Sequence, residues 1–342
     1  MMDFSILLAL LQDGVINGAI YALLALGLVL AFTVTRVIFV PIGEIVSFSA
    51  LTYAGLENGV TPRVLALTMG LGLFAFLRGA IRARGRALFM LGLGTLFMPA
   101  TIALIARMVA PMQLGIVANA IIAIACTAPL APLLYRLAFQ PMAEASVLVL
   151  LIASVGSHLA LSGLGLLVFG PEGARGTAFS DAVLVFGPVI LPGQAIYVLG
   201  FSLAAVAALW AFFRFTLAGV ALRATAINRR GARLVGIATD QAGLRAFWLA
   251  GLLAAFSGVM ISPLTTIYYD GGFLISLKGF VAAIIGGLAA YPAAAAGAIL
   301  VGIVESFSAF WASSFKEVIV FAGIIPFLLW RSLRHTGVED EE

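Results

Sequence analysis

Apolar stretches close to the length that a helix needs to cross a bilayer constrain this chain more than any other feature. They run over residues 14–33, 37–56, 64–77, 87–106, 112–134, 146–169, 195–215, 246–268, 276–290, 292–312 and 318–330. A membrane-crossing helix takes about 20 such residues, within a range of about 17–25. Most of the stretches qualify, and the three shortest are expected to be tilted, broken or re-entrant. The reading is an all-α fold, a polytopic transmembrane helical bundle of about 9–11 segments, forming a single domain over residues 1–342. Hydrophobic residues make up 63% of the chain and charged ones 10%. Ordinary globular domains carry about 25% charge, so a soluble fold is excluded.

The longest polar interruption, residues 217–245, holds Arg223, Arg229, Arg230, Arg233 and Arg245 against one acid, Asp240. Each arginine at mid-bilayer costs about 2.5–3.5 kcal/mol, so this stretch belongs at a water-facing surface. Ala221, Thr225, Asn228, Ala232 and Val235 recur at steps of four and three. That spacing predicts a short helix with one face of small side chains, offered to a docking partner and flanked by arginines. Gly236 supplies its stop. An ordinary basic topology loop is the other reading of the same charges.

Placing 217–245 inside brings Arg36, Arg78, Arg82, Arg84, Arg86, Arg136, Arg214, Arg331 and Arg334 to the same side. Only Arg63, Arg107, Arg175, Lys278 and Lys316 of the 19 basic residues are then left outside. This satisfies the positive-inside rule with the N-terminus out and the C-terminus in. The first residues lack the basic start of a secretory signal, so an uncleaved first span is expected. Residues 170–194, rich in Gly and Pro, read as a non-helical external cap. The turn at 78–86 reads as a topology anchor near anionic lipid, and the tail 331–342 as internal, ending in the acidic run 339–342.

Chemistry is sparse. With no Gly-Lys dipeptide in the chain there is no phosphate-binding loop. Neither a nucleophile elbow nor a zinc-protease motif occurs. Cys126 is the only cysteine, and His158 and His335 are the only histidines, so a metal centre or a Cys/His pair is disfavoured and no cofactor is expected. The arginines sit in separate turns, which argues against nucleic acid despite the net charge of +4. Within the spans, Asn17, Glu44, Asn119, His158 and Glu305 are costly against lipid and should face the interior, a partner subunit or a cavity. His158 and Asn119 read as structural hydrogen-bonding groups, while Glu44 and Glu305 suit function or structure equally. Glu44 follows Pro41-Ile42-Gly43, which should open the helix. Gly286, Ala290, Ala294 and Gly297 form a small-residue series suited to close helix packing.

Several landmarks together resemble the inner-membrane permease subunits of branched-chain amino acid ABC importers, the LivH/LivM type. The opening from Asn17-Gly18-Ala19-Ile20-Tyr21-Ala22-Leu23 to Gly27, and then RVIFVPIGE ending at Glu44, is similar to that family's start. LAFQPM, FGPEG at 169–173, ALRATA from Ala221, LVGIATD from Leu234 and KGFVAAIIGGL from Lys278 follow in family order. Phe39 and Ile42 stand where the family has Asn and His, Ile227 replaces an acidic residue, and 61–108 looks like a two-helix insertion.

The resemblance implies a non-enzymatic, multi-pass subunit of the bacterial inner membrane. It would work with cytoplasmic ATP-binding subunits, a second permease subunit and an external solute-binding protein, carrying a branched-chain amino acid or a related small zwitterion or amide. It further implies that 217–245 is the coupling element for the ATPase, with Arg223, Asn228, Arg229, Arg230, Ala232, Arg233 and Gly236 as its contact residues. The path would draw on Asn17, Tyr21, Glu44 and Glu305. An ion-coupled secondary transporter, which would need intramembrane carboxylates such as Glu44 and Glu305, is the competing reading.

Overall fold

The computed structural model describes residues 4–81, 84–112, 114–186, 189–288 and 290–335. Arg82 and the acidic run 339–342 lie outside the described residues. The chain opens with α1 (Phe4–Thr35) and α2 (Ile42–Glu57). α3 (Val64–Ala80) turns back as α4 (Arg86–Gly92), which passes through a π turn at Leu93–Phe97 into α5 (Met98–Val109). α6 (Ile116–Thr127), α7 (Leu130–Leu134) and a second π turn at Tyr135–Phe139 make one further crossing before α8 (Val147–Phe169).

A hairpin of β1 (Val183–Phe186) and β2 (Val189–Pro192), paired antiparallel, leads into α9 (Gly193–Phe215). α10 (Leu217–Ile227), α11 (Arg229–Leu234), α12 (Thr239–Ile261), α13 (Gly272–Ile285), α14 (Tyr291–Trp311), α15 (Lys316–Ala322) and α16 (Ile324–His335) complete the chain.

Every predicted apolar stretch carries helix. Among the described residues, 7 helices are long and apolar enough to cross a membrane: α1, α4–α5, α6–α7, α8, α9, α12 and α14. The chain is an all-α multi-pass membrane bundle. Some boundaries differ from the apolar runs. α2 starts at Ile42 because residues 36–41 are non-helical, and the last stretch is split at Gly323 into α15 and α16. The cap at 170–194, expected to be non-helical, contains the hairpin and a β-bridge between Ala174 and Ile267.

The core is formed by α1, α2, α12, α13 and α14, which pack on one another. The most extensive packing is between α1 and α14. Gly14 and Gly18 stand one turn apart on α1, and a Cβ placed on Gly302 of α14 would lie 2.2 Å from the Gly14 carbonyl oxygen and 2.5 Å from the Gly18 nitrogen. Hydrocarbon offers no hydrophobic drive for helices to associate, so such backbone contact supplies the dispersion that holds them. The series expected to pack closely also does so: a Cβ on Gly286 would meet Ala294 N at 2.5 Å, and one on Gly297 would meet the Ile285 side chain at 2.9 Å.

Two ends can be told apart. At one, the cap is stitched to the bundle. Gln12 donates to the Ile190 carbonyl, Thr177 N and Oγ1 donate to Glu57, Arg175 Nε donates to the Pro263 carbonyl, and Gln194 Nε2 donates to the Met260 carbonyl. At the other end lie the turns after α3, α7 and α9. Arg78 Nη1 donates to the Leu137 carbonyl at 2.7 Å and Arg229 Nη1 to the Ala143 carbonyl at 3.1 Å.

Candidate functional site

Four charged or polar side chains meet near the cap end of the core. Lys278 of α13 donates to Glu305 Oε1 at 2.5 Å and to Glu317 Oε1 at 3.1 Å, and Tyr21 of α1 donates its hydroxyl to Glu305 Oε2 at 2.5 Å. Both oxygens of Glu305 are thereby used, and the Lys278 and Glu305 side chains are 5% and 11% exposed. Such a pair persists in the interior only because each charge meets an opposite charge and further hydrogen bonds. Beside it lies a cavity of about 460 Å³ whose wall includes Asp13, Asn17, Glu305, Ser306 and Lys316. The structure pairs Tyr21 with Glu305 and places Asn17 on the wall of the cavity that Glu305 also lines. Lys278, placed outside by the charge count, is instead buried in the bundle.

Glu44 is elsewhere. It is fully buried in the first turn of α2, where the helix N-terminus favours a carboxylate. Its Oε1 lies 2.6 Å from His158 Nδ1 of α8, and the imidazole stacks on Phe273 at 4.3 Å between centroids. The helix opening read at Pro41 is present: residues 36–41 are non-helical, and Val40 N bonds to Ser154 Oγ at 2.9 Å. Arg36 is exposed, but Val37 and Phe39 are buried and Val40 is tied to α8, so the rest of this irregular backbone runs against protein, where a membrane tolerates it. His158 holds the hydrogen bond expected of it. Asn119 does not: it is 5% exposed, and its side chain has no hydrogen-bond partner among the described residues.

The basic stretch departs from the single helix that its spacing predicts. Asn228, with φ −149° and ψ 100°, separates α10 from α11 and caps α11 by accepting from Gly231 N at 2.8 Å. α11 ends in a Schellman turn, Ile237 N to the Ala232 carbonyl and Gly236 N to the Arg233 carbonyl, with Gly236 at φ 84°. The stop at Gly236 is therefore as read. The face of small side chains is split: Thr225 and Ala232 are 2% and 4% exposed and pack on this chain, whereas Asn228 is exposed and Val235 points outward.

Arg229 and Arg233 also work internally. Arg229 bonds to Ala143 and faces Asp240 at 3.6 Å, while Arg233 bonds to Thr239 Oγ1 and Glu144. The outward surface is Ile227, Leu234 and Val235, exposed at 86%, 88% and 76%, together with Arg223 and Arg230.

Residues 10–328 match the family described as branched-chain amino acid transport system / permease component. The chain belongs to this family. Similar relatives include the high-affinity branched-chain amino acid transport system permease protein LivH of Escherichia coli (strain K12), 32% identical over 206 residues. LivH of Salmonella typhimurium is 31% identical over 206 residues, and BraD of Pseudomonas aeruginosa, which carries the same system description, is 27% identical over 203. These matches cover 57% of this chain and 65–66% of the relatives, so the chain spans just under two thirds of the LivH proteins it matches. No solved structure matches it.

For this member of the permease family, sequence reasoning missed Lys278 as the cation that Glu305 and Glu317 share. The signal was present, since Lys278 interrupts an apolar run that resumes at once with Gly279-Phe280-Val281. A cation so placed needs an acid within reach.

Proposed function

We propose that the chain is the transmembrane permease subunit of an ABC importer for a small zwitterion, a branched-chain amino acid or a related amide. The observation that carries this is the family match over residues 10–328. ATP hydrolysis resides on separate cytoplasmic subunits, a second permease subunit completes the pore in the inner membrane, and an external solute-binding protein delivers substrate to the cap end. The arginine-rich end faces the cytoplasm, in keeping with the positive-inside rule. The cavity beside Asn17, Tyr21 and Glu305 belongs to the solute path, its size of about 460 Å³ suiting a small organic solute. Reconstitution in liposomes tests the reading. Uptake is expected only with ATP, the ATPase subunits and the binding protein present, and uptake driven by an ion gradient on this chain alone would establish a secondary transporter instead.

The coupling contact with the ATPase is formed by the outward face of α10 and α11: Arg223, Ile227, Arg230, Leu234 and Val235. Asn228 and Gly236 shape this element, and Arg229, Ala232 and Arg233 anchor it to the chain. Leu234→Asp removes an 88% exposed side chain that stabilises nothing within the subunit. It is expected to leave the thermal unfolding of the purified subunit unchanged and to abolish co-purification of the ATPase. Ala232→Trp, at 4% exposure, is expected to destabilise the subunit itself by about 1–3 kcal/mol through overpacking. The reverse pattern in the two melting curves would return Ala232 to the partner-facing side.

A further inference from the structure

A large crevice lies at the arginine-rich end, between the α3–α4 hairpin and the body of the bundle, with a volume of about 1110 Å³. Arg78, Arg86 and Arg136 line it, and among the described residues the one acid on its wall is Asp240, which Arg229 already faces at 3.6 Å. Arg136 projects from the π turn at Tyr135–Phe139, and its Nη1, a buried atom, has no acceptor among the described residues. Arg86 is exposed and is likewise unpaired among the described residues, whereas Arg78 spends one N–H on the Leu137 carbonyl. Three guanidinium groups around one space, with donors left over, form a receptor for an anion that carries several acceptor oxygens.

The surroundings decide which anion. Ile81 and Met90, also in the crevice wall, are 84% and 51% exposed, and the adjoining Phe89 is 66% exposed. A cationic pocket whose apolar rim is built from the residue that ends α3 and from the membrane-length helix α4–α5 fits a molecule with a charged head and hydrocarbon tails. We propose that this crevice binds the phosphodiester headgroup of an anionic lipid. Arg86, Arg136 and the free donors of Arg78 hold the phosphate, and the acyl chains lie along Ile81, Phe89 and Met90. The bound lipid bridges the peripheral hairpin to α12, whose Gln241 and Leu244 share the crevice wall, which gives the hairpin at 61–108 a role that packing alone does not supply.

Native mass spectrometry of the full-length chain in detergent, titrated with phosphatidylglycerol, phosphatidylcholine or inorganic phosphate, tests the proposal. The wild type is expected to retain phosphatidylglycerol in preference to phosphatidylcholine, and inorganic phosphate is expected not to displace it. Arg86→Gln should weaken retention about fivefold and Arg86→Gln with Arg136→Gln about 25-fold, as loss of one and two phosphate-facing cations implies. Arg86 gives up no internal hydrogen bond among the described residues, so its variant reports on binding even where the double variant folds poorly. Equal retention of phosphatidylglycerol by wild type and Arg86→Gln would overturn the site. Equal retention of the two lipids would overturn the headgroup assignment, and displacement by inorganic phosphate would assign the crevice to a free anion.

Discussion

Gly302→Leu is expected to yield no folded protein in detergent, and Gly302→Ala a chain with a markedly lowered melting temperature. A β-carbon at this position would lie 2.2 Å from one backbone atom of α1 and 2.5 Å from another, and neither atom can rotate away as a side chain end would. The most extensive helix contact in the core, between α1 and α14, must then separate. Overpacking of a single methyl costs about 1–3 kcal/mol where neighbours can adjust, and here they cannot. Gly163→Ala serves as the control, since nothing lies within 4 Å of a Cβ at that place on α8. Size-exclusion profiles and melting curves of the three variants give the measurement. A wild-type curve for Gly302→Leu would mean that α1 and α14 do not meet there.

The second large effect concerns the buried charges, where the two partners of one ion pair are expected to behave differently. Lys278→Met strands Glu305, whose side chain is 11% exposed, with no cation opposite it, and should cost roughly 3–5 kcal/mol. Glu305→Gln is expected to be milder, because Lys278 keeps Glu317 at 3.1 Å and a glutamine still accepts from Tyr21. Combining Lys278→Met with Glu305→Gln should recover part of the loss, since a neutral pair leaves no unpaired charge in the membrane interior. Melting temperatures of the four proteins complete the cycle. If the double variant is as unstable as the sum of the singles, Lys278 and Glu305 are not coupled.

The helices themselves were legible because a bilayer demands long apolar runs, and each run in this chain carries helix. Burial was not legible. α1 and α8 are similarly apolar along their lengths, yet 83% of the most apolar part of α1 is buried inside the bundle against 17% of that of α8. Lipid and protein interior accept the same side chains, so composition does not separate a core helix from a peripheral one. Glycine spacing does separate them here: Gly14 and Gly18 mark the face of α1 that meets α14.

At the candidate site, Asn17, Tyr21 and Glu305 could be read as interior groups because a polar side chain within a span is costly wherever it meets lipid and so turns toward protein or a cavity. Lys278 could not be separated from a loop cation by charge counting alone. The spacing grouped Thr225 with Ala232, and both are buried, but it could not say which way they turn, because small side chains suit this chain's own interior as well as a partner's surface.

The non-helical backbone at residues 36–41 also bears on the order in which the protein can be built. α2 has 16 residues, about 24 Å at 1.5 Å per residue, short of the roughly 30 Å of hydrocarbon. Its packing partners α6, α12 and α13 all follow it along the chain. As the nascent chain leaves the ribosome, α2 carries the buried carboxylate of Glu44 before His158 has been synthesised. This element can reach its final depth only after α8 and α12 have entered the membrane, so the second segment made is among the last to be seated.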